Sequence, residues 1–240
     1  VVALAFAIEG AMGFGATVVT VALASLFMAT TDVLPAFVPL NVMFSAYLVA
    51  RNRRAIDGRL LVREVLPAMV AGMPIGIFAF RYLDETTLRL ALGAFVIAVS
   101  IVQLGSKTEP RPLPTALSYG LLGAGGMVHG AFGSGGPLVV YVLGRRLAGD
   151  KAAFRATLSC LWLVTNAILA ASYAQGGQLT TGTALTTATL LPPLLVGLVV
   201  GERVHRAVPA DRFRSLIFVF LLGVGVVLAV RAAASLVDFG

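Results

Sequence analysis

Residues 123–137 read Gly123-Ala-Gly-Gly-Met-Val-His-Gly-Ala-Phe-Gly-Ser-Gly-Gly-Pro137, inside an apolar run that extends from about residue 115 to 144. Glycine at this density, closed by a proline, does not continue a straight helix. The surrounding composition says where the break lies. The 240 residues are 58% hydrophobic and 12% charged, with a mean hydropathy of +0.94, whereas soluble domains run at about 25% charged and 45–50% apolar. The reading is an all-α polytopic membrane protein with a helix interrupted at membrane depth. Irregular backbone survives there only where protein buries it or a water-filled cavity lines it.

A second glycine cluster precedes this one by 120 residues. Glu9-Gly-Ala-Met-Gly-Phe-Gly15 contains GAMGFG at 10–15, which matches GAFGSG at 130–135 at four of six positions. Further along, an offset of 125 aligns Asn41 with Asn166, Pro67 with Pro192, Gly72 with Gly197, Gly76 with Gly201 and Arg89 with Arg214. An ordered series in one register points to an internal duplication. Residues 1–106 form an N-terminal repeat and 115–240 a C-terminal repeat, joined by the proline-rich linker 107–114. A transmembrane helix needs about 20 mostly apolar residues. Apolar segments lie near 1–28, 33–50, 60–80, 88–105, 115–144, 156–173, 184–201 and 215–237.

Charge sets the orientation. Loop 51–63, the linker, loop 145–155 and loop 203–214 hold fifteen of the 18 Lys and Arg residues. Basic residues collect in cytoplasmic loops, which places these four regions inside and the C-terminus outside, with Arg81 and Arg89 left on the outer face. Segment 115–144 must then enter and leave on the same side, as a re-entrant hairpin of two half-helices. By duplication segment 1–28 does the same from the opposite side. Each repeat is a broken hairpin plus three transmembrane helices, and an odd number of crossings inverts the second repeat. Inverted repeats with discontinuous helices are a recurring plan of secondary transporters. The rival arrangement is eight simple spans, in which one basic loop violates the charge rule.

The net charge of +7 and the pI near 10.3 follow from these basic loops, so no nucleic-acid partner is expected. Cys160 is the single cysteine, which precludes an intramolecular disulfide. No basic n-region precedes Val1, so no signal peptide is expected. Walker A, CxxC and HExxH motifs are absent, and no catalytic residue, cofactor or metal is expected.

The chemistry concentrates at the breaks. A half-helix that starts there presents free N–H groups and the positive end of its dipole, which is an anion site without any basic side chain. The candidate substrate-binding residues are Gly13, Phe14, Gly15, Ala16 and Thr17 at the first break and Gly133, Ser134, Gly135 and Gly136 at the second. In an inverted pair the two breaks converge on one small anion near the midplane. Close helix packing is the competing use of such glycines, and it is the preferred reading for Gly72/Gly76 and Gly197/Gly201. Asn41 and Asn166 form a duplicated amide pair inside apolar spans and join the candidate set, since a buried amide needs a partner. Glu9 and His129 occupy equivalent repeat positions and are candidates for proton coupling. Trp162 and most phenylalanines are read as packing or lipid contact.

With two glycine-rich repeats, each opening a four-segment half, the chain resembles the sulfite exporter TauE/SafE family. The carrying residues are Glu9 to Gly15, His129 to Pro137, the repeated Pro/Gly pattern at 67–76 and 192–201, and the length. Many members carry a fuller glycine run after the first motif, where this chain has Ala16-Thr17. The resemblance implies a secondary transporter, an exporter by the family's name, of a small sulfur-containing anion such as sulfite or an organosulfonate (sulfoacetate-like), in the bacterial cytoplasmic (inner) membrane. Its partners would be that anion and membrane lipid, and a homodimer is compatible with the plan. The alternative is a membrane-embedded enzyme or accessory subunit handling a sulfur or lipid-borne substrate, for which one Cys and two His are a poor inventory.

Overall fold

The computed structural model describes residues 1–12, 14–105, 113–207 and 210–237, and nothing is said of the side chains at 11–12, 202, 204–207, 210–217 and 236–237. Gly13, Lys107 and Arg111, and the side chains of His205, Arg206, Arg212 and Arg214, therefore lie outside the description. Among the described residues the secondary structure is helical, with no strand.

Eleven helices follow in order: α1 (Val2–Met12), α2 (Ala16–Ala24), α3 (Thr30–Asn52), α4 (Gly58–Tyr82), α5 (Glu85–Gly105), α6 (Thr115–Phe132), α7 (Gly136–Arg146), α8 (Lys151–Gln175), α9 (Thr181–Thr189), α10 (Leu191–Ala207) and α11 (Ala210–Val237). Six stretches are long and apolar enough to cross a membrane among the described residues: Thr30–Ala55, Gly58–Tyr82, Glu85–Gly105, Lys151–Gln175, Thr181–Gly201 and Phe218–Ser235. The remaining helices fall short. α1 and α7 have 11 residues and α2 has 9, so at about 1.5 Å per residue each spans roughly half of a ~30 Å hydrocarbon core. The expected plan of three spans and one broken segment per sequence half is what forms.

Local chemistry explains the interruptions. α1 and α2 part at Gly15, whose φ of 112° is a left-handed conformation that L side chains resist. The Thr181–Gly201 span divides at Leu190, just ahead of Pro192-Pro193. A proline removes an N–H and disfavours helical geometry in the residue before it, so a new helix starts there. Pro35 and Pro39 sit inside α3, and the Thr187 hydroxyl donates to the Ala36 carbonyl at 2.8 Å. Hydroxyls from neighbouring helices commonly satisfy backbone that a proline disturbs.

The chain divides into two compact units, and neither follows a sequence half. The first comprises Val1–Leu34, Ala79–Thr108 and Pro192–Gly240; the second comprises Pro35–Phe78 and Glu109–Leu191. Each draws on both halves.

In the first unit, α10 packs on α1 through glycine. A Cβ on Gly197 would overlap the Ala3 carbonyl oxygen, and one on Gly201 would lie 2.5 Å from that of Ala7. Gly93 of α5 sits against Ala229 of α11 in the same way, with 2.9 Å from a would-be Cβ to the Ala229 nitrogen. α2 lies in the interior, buried from Ala16 to Ala22. One end of this unit is closed by polar contacts. Thr30 N donates to Glu85 Oε1 at 2.6 Å, Arg89 pairs with the same oxygen at 2.9 Å, Arg89 Nη2 donates to Met28 O at 2.8 Å, and Arg231 Nη1 donates to Leu26 O at 3.1 Å. Two of the three basic residues outside the four basic regions thus cap carbonyls just past the C-terminus of α2, where the helix dipole is negative.

In the second unit, α4 packs on α6. A Cβ on Gly72 or Gly76 would overlap the carbonyl oxygen of Gly123 or Met127, and one on Gly126 or Gly130 would overlap that of Met69 or Met73. The core gathers Leu61, Val65, Met69, Leu122, Val139, Val142, Leu143, Leu158, Leu161 and Trp162, with Leu113 packed against it. Arg146, the last residue of α7, pairs with Glu64 at 3.0 Å, and Asp57 N donates to the Thr157 hydroxyl at 2.9 Å. Leu113, before α6, thus packs on this core, and Arg146, at the end of α7, pairs with Glu64 next to the core residue Val65. Large apolar side chains left exposed along the spans of this unit, such as Val62, Phe78 and Leu185, are suited to lipid.

The glycine contacts of the two units share a register. Gly72 meets Gly123 where Gly197 meets Ala3, and Gly76 meets Met127 where Gly201 meets Ala7. The same offsets of 125 and 120 that align the sequence carry one set onto the other.

Candidate anion site at the helix breaks

The first break belongs to the first unit. Phe14, Ala16 and Thr17 are buried at 7%, 0% and 8% exposure, and Gly15 caps α2, its carbonyl accepting from Val19 N at 3.0 Å. The leading N–H of α2 is already taken. Ala16 N donates to Oε2 of Glu9 at 2.9 Å, and both groups are buried. The chain thus reaches across its own break and sets a carboxylate on the helix N-terminus, the position that favours negative charge.

The second break belongs to the second unit and is built differently. α6 closes with Gly133 at φ 62°, its N–H donating to the His129 carbonyl at 2.7 Å. Gly135, at φ −66°, precedes α7. Here the lack of a side chain serves packing, because a Cβ would overlap the Gly125 carbonyl oxygen and press on His129 Cβ at 3.0 Å. Gly136 and Pro137 are buried. Proline supplies no N–H and Val139 N bonds back to Gly135 O at 3.4 Å, which leaves the amides of Gly136 and Leu138 as the leading donors of α7.

Around this second N-terminus the polar side chains lack partners. His129 is 1% exposed and Ser134 2% exposed, and neither imidazole nitrogen nor the Ser134 hydroxyl has a hydrogen-bond partner. The His129 ring stacks on Trp162 with centroids 5.6 Å apart and planes 16° apart. Asn166 follows Trp162 by four residues on α8, hence on the same helix face; it is 3% exposed and its Oδ1 has no partner. Buried polar atoms are paired in the great majority of cases, and an orphan calls for a ligand or water. Four buried atoms, on α6, at the break and on α8, thus stand without a hydrogen-bond partner.

The structure therefore gathers His129, Gly133 to Gly136 and the Trp162–Asn166 face in the second unit, and Glu9 with Phe14 to Thr17 in the first. Asn41 is buried at 2% in α3, in the second unit. Trp162, read from sequence as packing or lipid contact, packs in the core of this unit and there also stacks on the imidazole. A signal for it exists: Trp162 precedes Asn166 by one turn, as Phe37 precedes Asn41, at the offset of 125. Among the described residues no cluster of His, Cys, Asp and Glu is suited to a metal ion.

The chain is 29% identical over 166 residues, 68% of its own length and 69% of the relative's, to a protein described as a probable inner membrane transporter protein TsaS from Comamonas testosteroni. No solved structure matches it. The family model described as sulfite exporter TauE/SafE matches residues 1–228, nearly the whole chain, and the chain belongs to the TauE/SafE family.

Proposed function

We propose that the protein is a secondary transporter that moves a small sulfur-containing anion, sulfite or an organosulfonate of sulfoacetate type, out across the bacterial cytoplasmic membrane, with the anion seated at the second helix break. The observation that carries the reading is the set of orphaned atoms of His129, Ser134 and Asn166 beside the N-terminus of α7. Sulfite and sulfonate oxygens are acceptors. The imidazole N–H, the serine hydroxyl, the asparagine amide once rotated, and the Gly136 and Leu138 amides are donors. Family membership and the likeness to TsaS support transport over catalysis, and the membrane location follows the same comparison.

Two finer points belong to the same proposal. The shared register of glycine contacts supports an inverted duplication of residues 1–106 and 115–240, whose halves exchange partners so that each broken hairpin packs on the second full span of the other half. Glu9 and His129, equivalent in that duplication, are the groups assigned to carry a coupled proton, since each is an ionisable side chain buried beside a break.

Flux in proteoliposomes tests the proposal. The purified protein should move at least one of sulfite, thiosulfate, taurine and sulfoacetate. Ser134→Ala should lower the flux at least tenfold, about 1.4 kcal/mol, with the melting temperature held, because a hydrogen bond to a charged ligand contributes about 1.5–3 kcal/mol. His129→Gln should flatten the pH dependence of flux. No flux of any of the four anions by well-folded protein sinks the transport reading, and unchanged pH profiles in both His129→Gln and Glu9→Gln remove the proton from it.

A further inference from the structure

The two breaks face the same electrostatic problem and meet it with opposite chemistry. A buried helix N-terminus carries roughly half a positive charge and unpaired N–H groups. At the first break Glu9 reaches over a separation of seven residues to accept from Ala16 N at 2.9 Å, with 5% of the side chain exposed. At the second break the equivalent position holds His129, which makes no such bond: its ring lies against Trp162 and its nitrogens are unpartnered. Ser134, beside α7, is orphaned as well. The carboxylate and the proposed substrate are alike where it matters, each presenting an oxyanion of a compact head to backbone N–H.

We propose that Glu9 is a tethered stand-in for the transported anion. Its carboxylate fills the anion seat at the N-terminus of α2, so the chain offers one open seat, at the second break, and binds one substrate anion at a time. This rests on the anion-transport reading above. The physical logic is charge economy. A resident carboxylate neutralises the dipole of α2 without a second substrate. Protonating or displacing Glu9 would free the Ala16 N–H and open the first seat.

Isothermal titration of the full-length purified protein with thiosulfate and with sulfoacetate reads the stoichiometry. Wild type should bind one anion per chain, and Glu9→Ala, with the seat vacated, should bind two. Glu9→Gln, whose amide oxygen still reaches Ala16 N, should stay at one and report that the fold tolerates change at this position. Formate, which restores the missing carboxylate, should raise the melting temperature of Glu9→Ala and leave wild type unmoved. Should Glu9→Ala fail to fold, Glu9→Ser serves in its place, since a neutral side chain too short to reach Ala16 N should admit the second anion. One anion in both wild type and the seat-vacating variant overturns the stand-in while leaving transport intact, as do two anions in wild type. No anion in wild type but one in Glu9→Ala supports the stand-in and overturns the second-break seat. No anion in either protein overturns both.

Discussion

The helix breaks at Gly15 and Gly135 come from matching stretches of sequence, yet they use glycine for different ends. Gly15 is required by its torsion angle, with φ at 112° and only Ile8 Cγ2 at an ordinary 3.5 Å from a would-be Cβ. Gly135 has an unexceptional φ of −66° and is required by space, since Gly125 and His129 occupy the place of a side chain. The contrast extends along the helices that lead in. A Cβ on Gly10 would meet Gly201 Cα at a tight but tolerable 3.4 Å, whereas one on Gly130 would overlap the Met73 carbonyl oxygen. The first hairpin is therefore fixed by backbone conformation and an internal carboxylate. The second is fixed by close packing, which leaves its polar groups free for a ligand. Duplicated sequence can keep a break and still divide its duties.

The largest effect is expected where the two units agree. Gly76→Leu and Gly201→Leu each drive a side chain into a facing backbone carbonyl, and overpacking of that kind costs upward of about 3 kcal/mol when backbone cannot move aside. Neither variant should yield monodisperse protein in detergent. If Gly201→Leu proves soluble and stable while Gly76→Leu does not, the common register of the two units is broken.

A middle-sized effect separates the hairpins. Gly130→Ala should lower stability by about 1–3 kcal/mol, the usual cost of forcing extra volume into a packed site. Gly10→Ala should be near neutral, because the tight contact is offset by alanine's better helix propensity of about 1 kcal/mol. Melting temperatures in one detergent check this, and equal losses at both positions would erase the distinction between the contacts at Gly10 and Gly130.

The smallest effect sharpens the assignment of the ligand seat. Gly15→Ala should cost about 1–2 kcal/mol, the penalty for a left-handed L residue, yet leave thiosulfate affinity within about twofold, because the second break holds the anion. A large loss of affinity in folded Gly15→Ala protein would move the seat to the first break.

Much of this was readable from the residues. Low charge with runs of apolar residues demands helices, since hydrocarbon leaves no other partner for the backbone, and glycine clusters at 10–15 and 130–136 mark where those helices stop. Segment order, loop charge and the offsets of 120 and 125 followed from counting along one dimension. Partnership across the fold was not available from that count. Nothing in a linear string states that Gly72 would touch Gly123 rather than a residue of its own half, because the contact depends on two helix faces meeting at one depth. Nor does it distinguish Glu9 bonded to Ala16 from His129 stacked on Trp162. Both are ionisable residues ahead of a glycine break, and only the path of the chain in space sets whether a side chain reaches the next helix's N–H or a neighbouring ring. Backbone chemistry acts within a few residues and is written locally; side-chain pairing over a hundred residues is a property of packing.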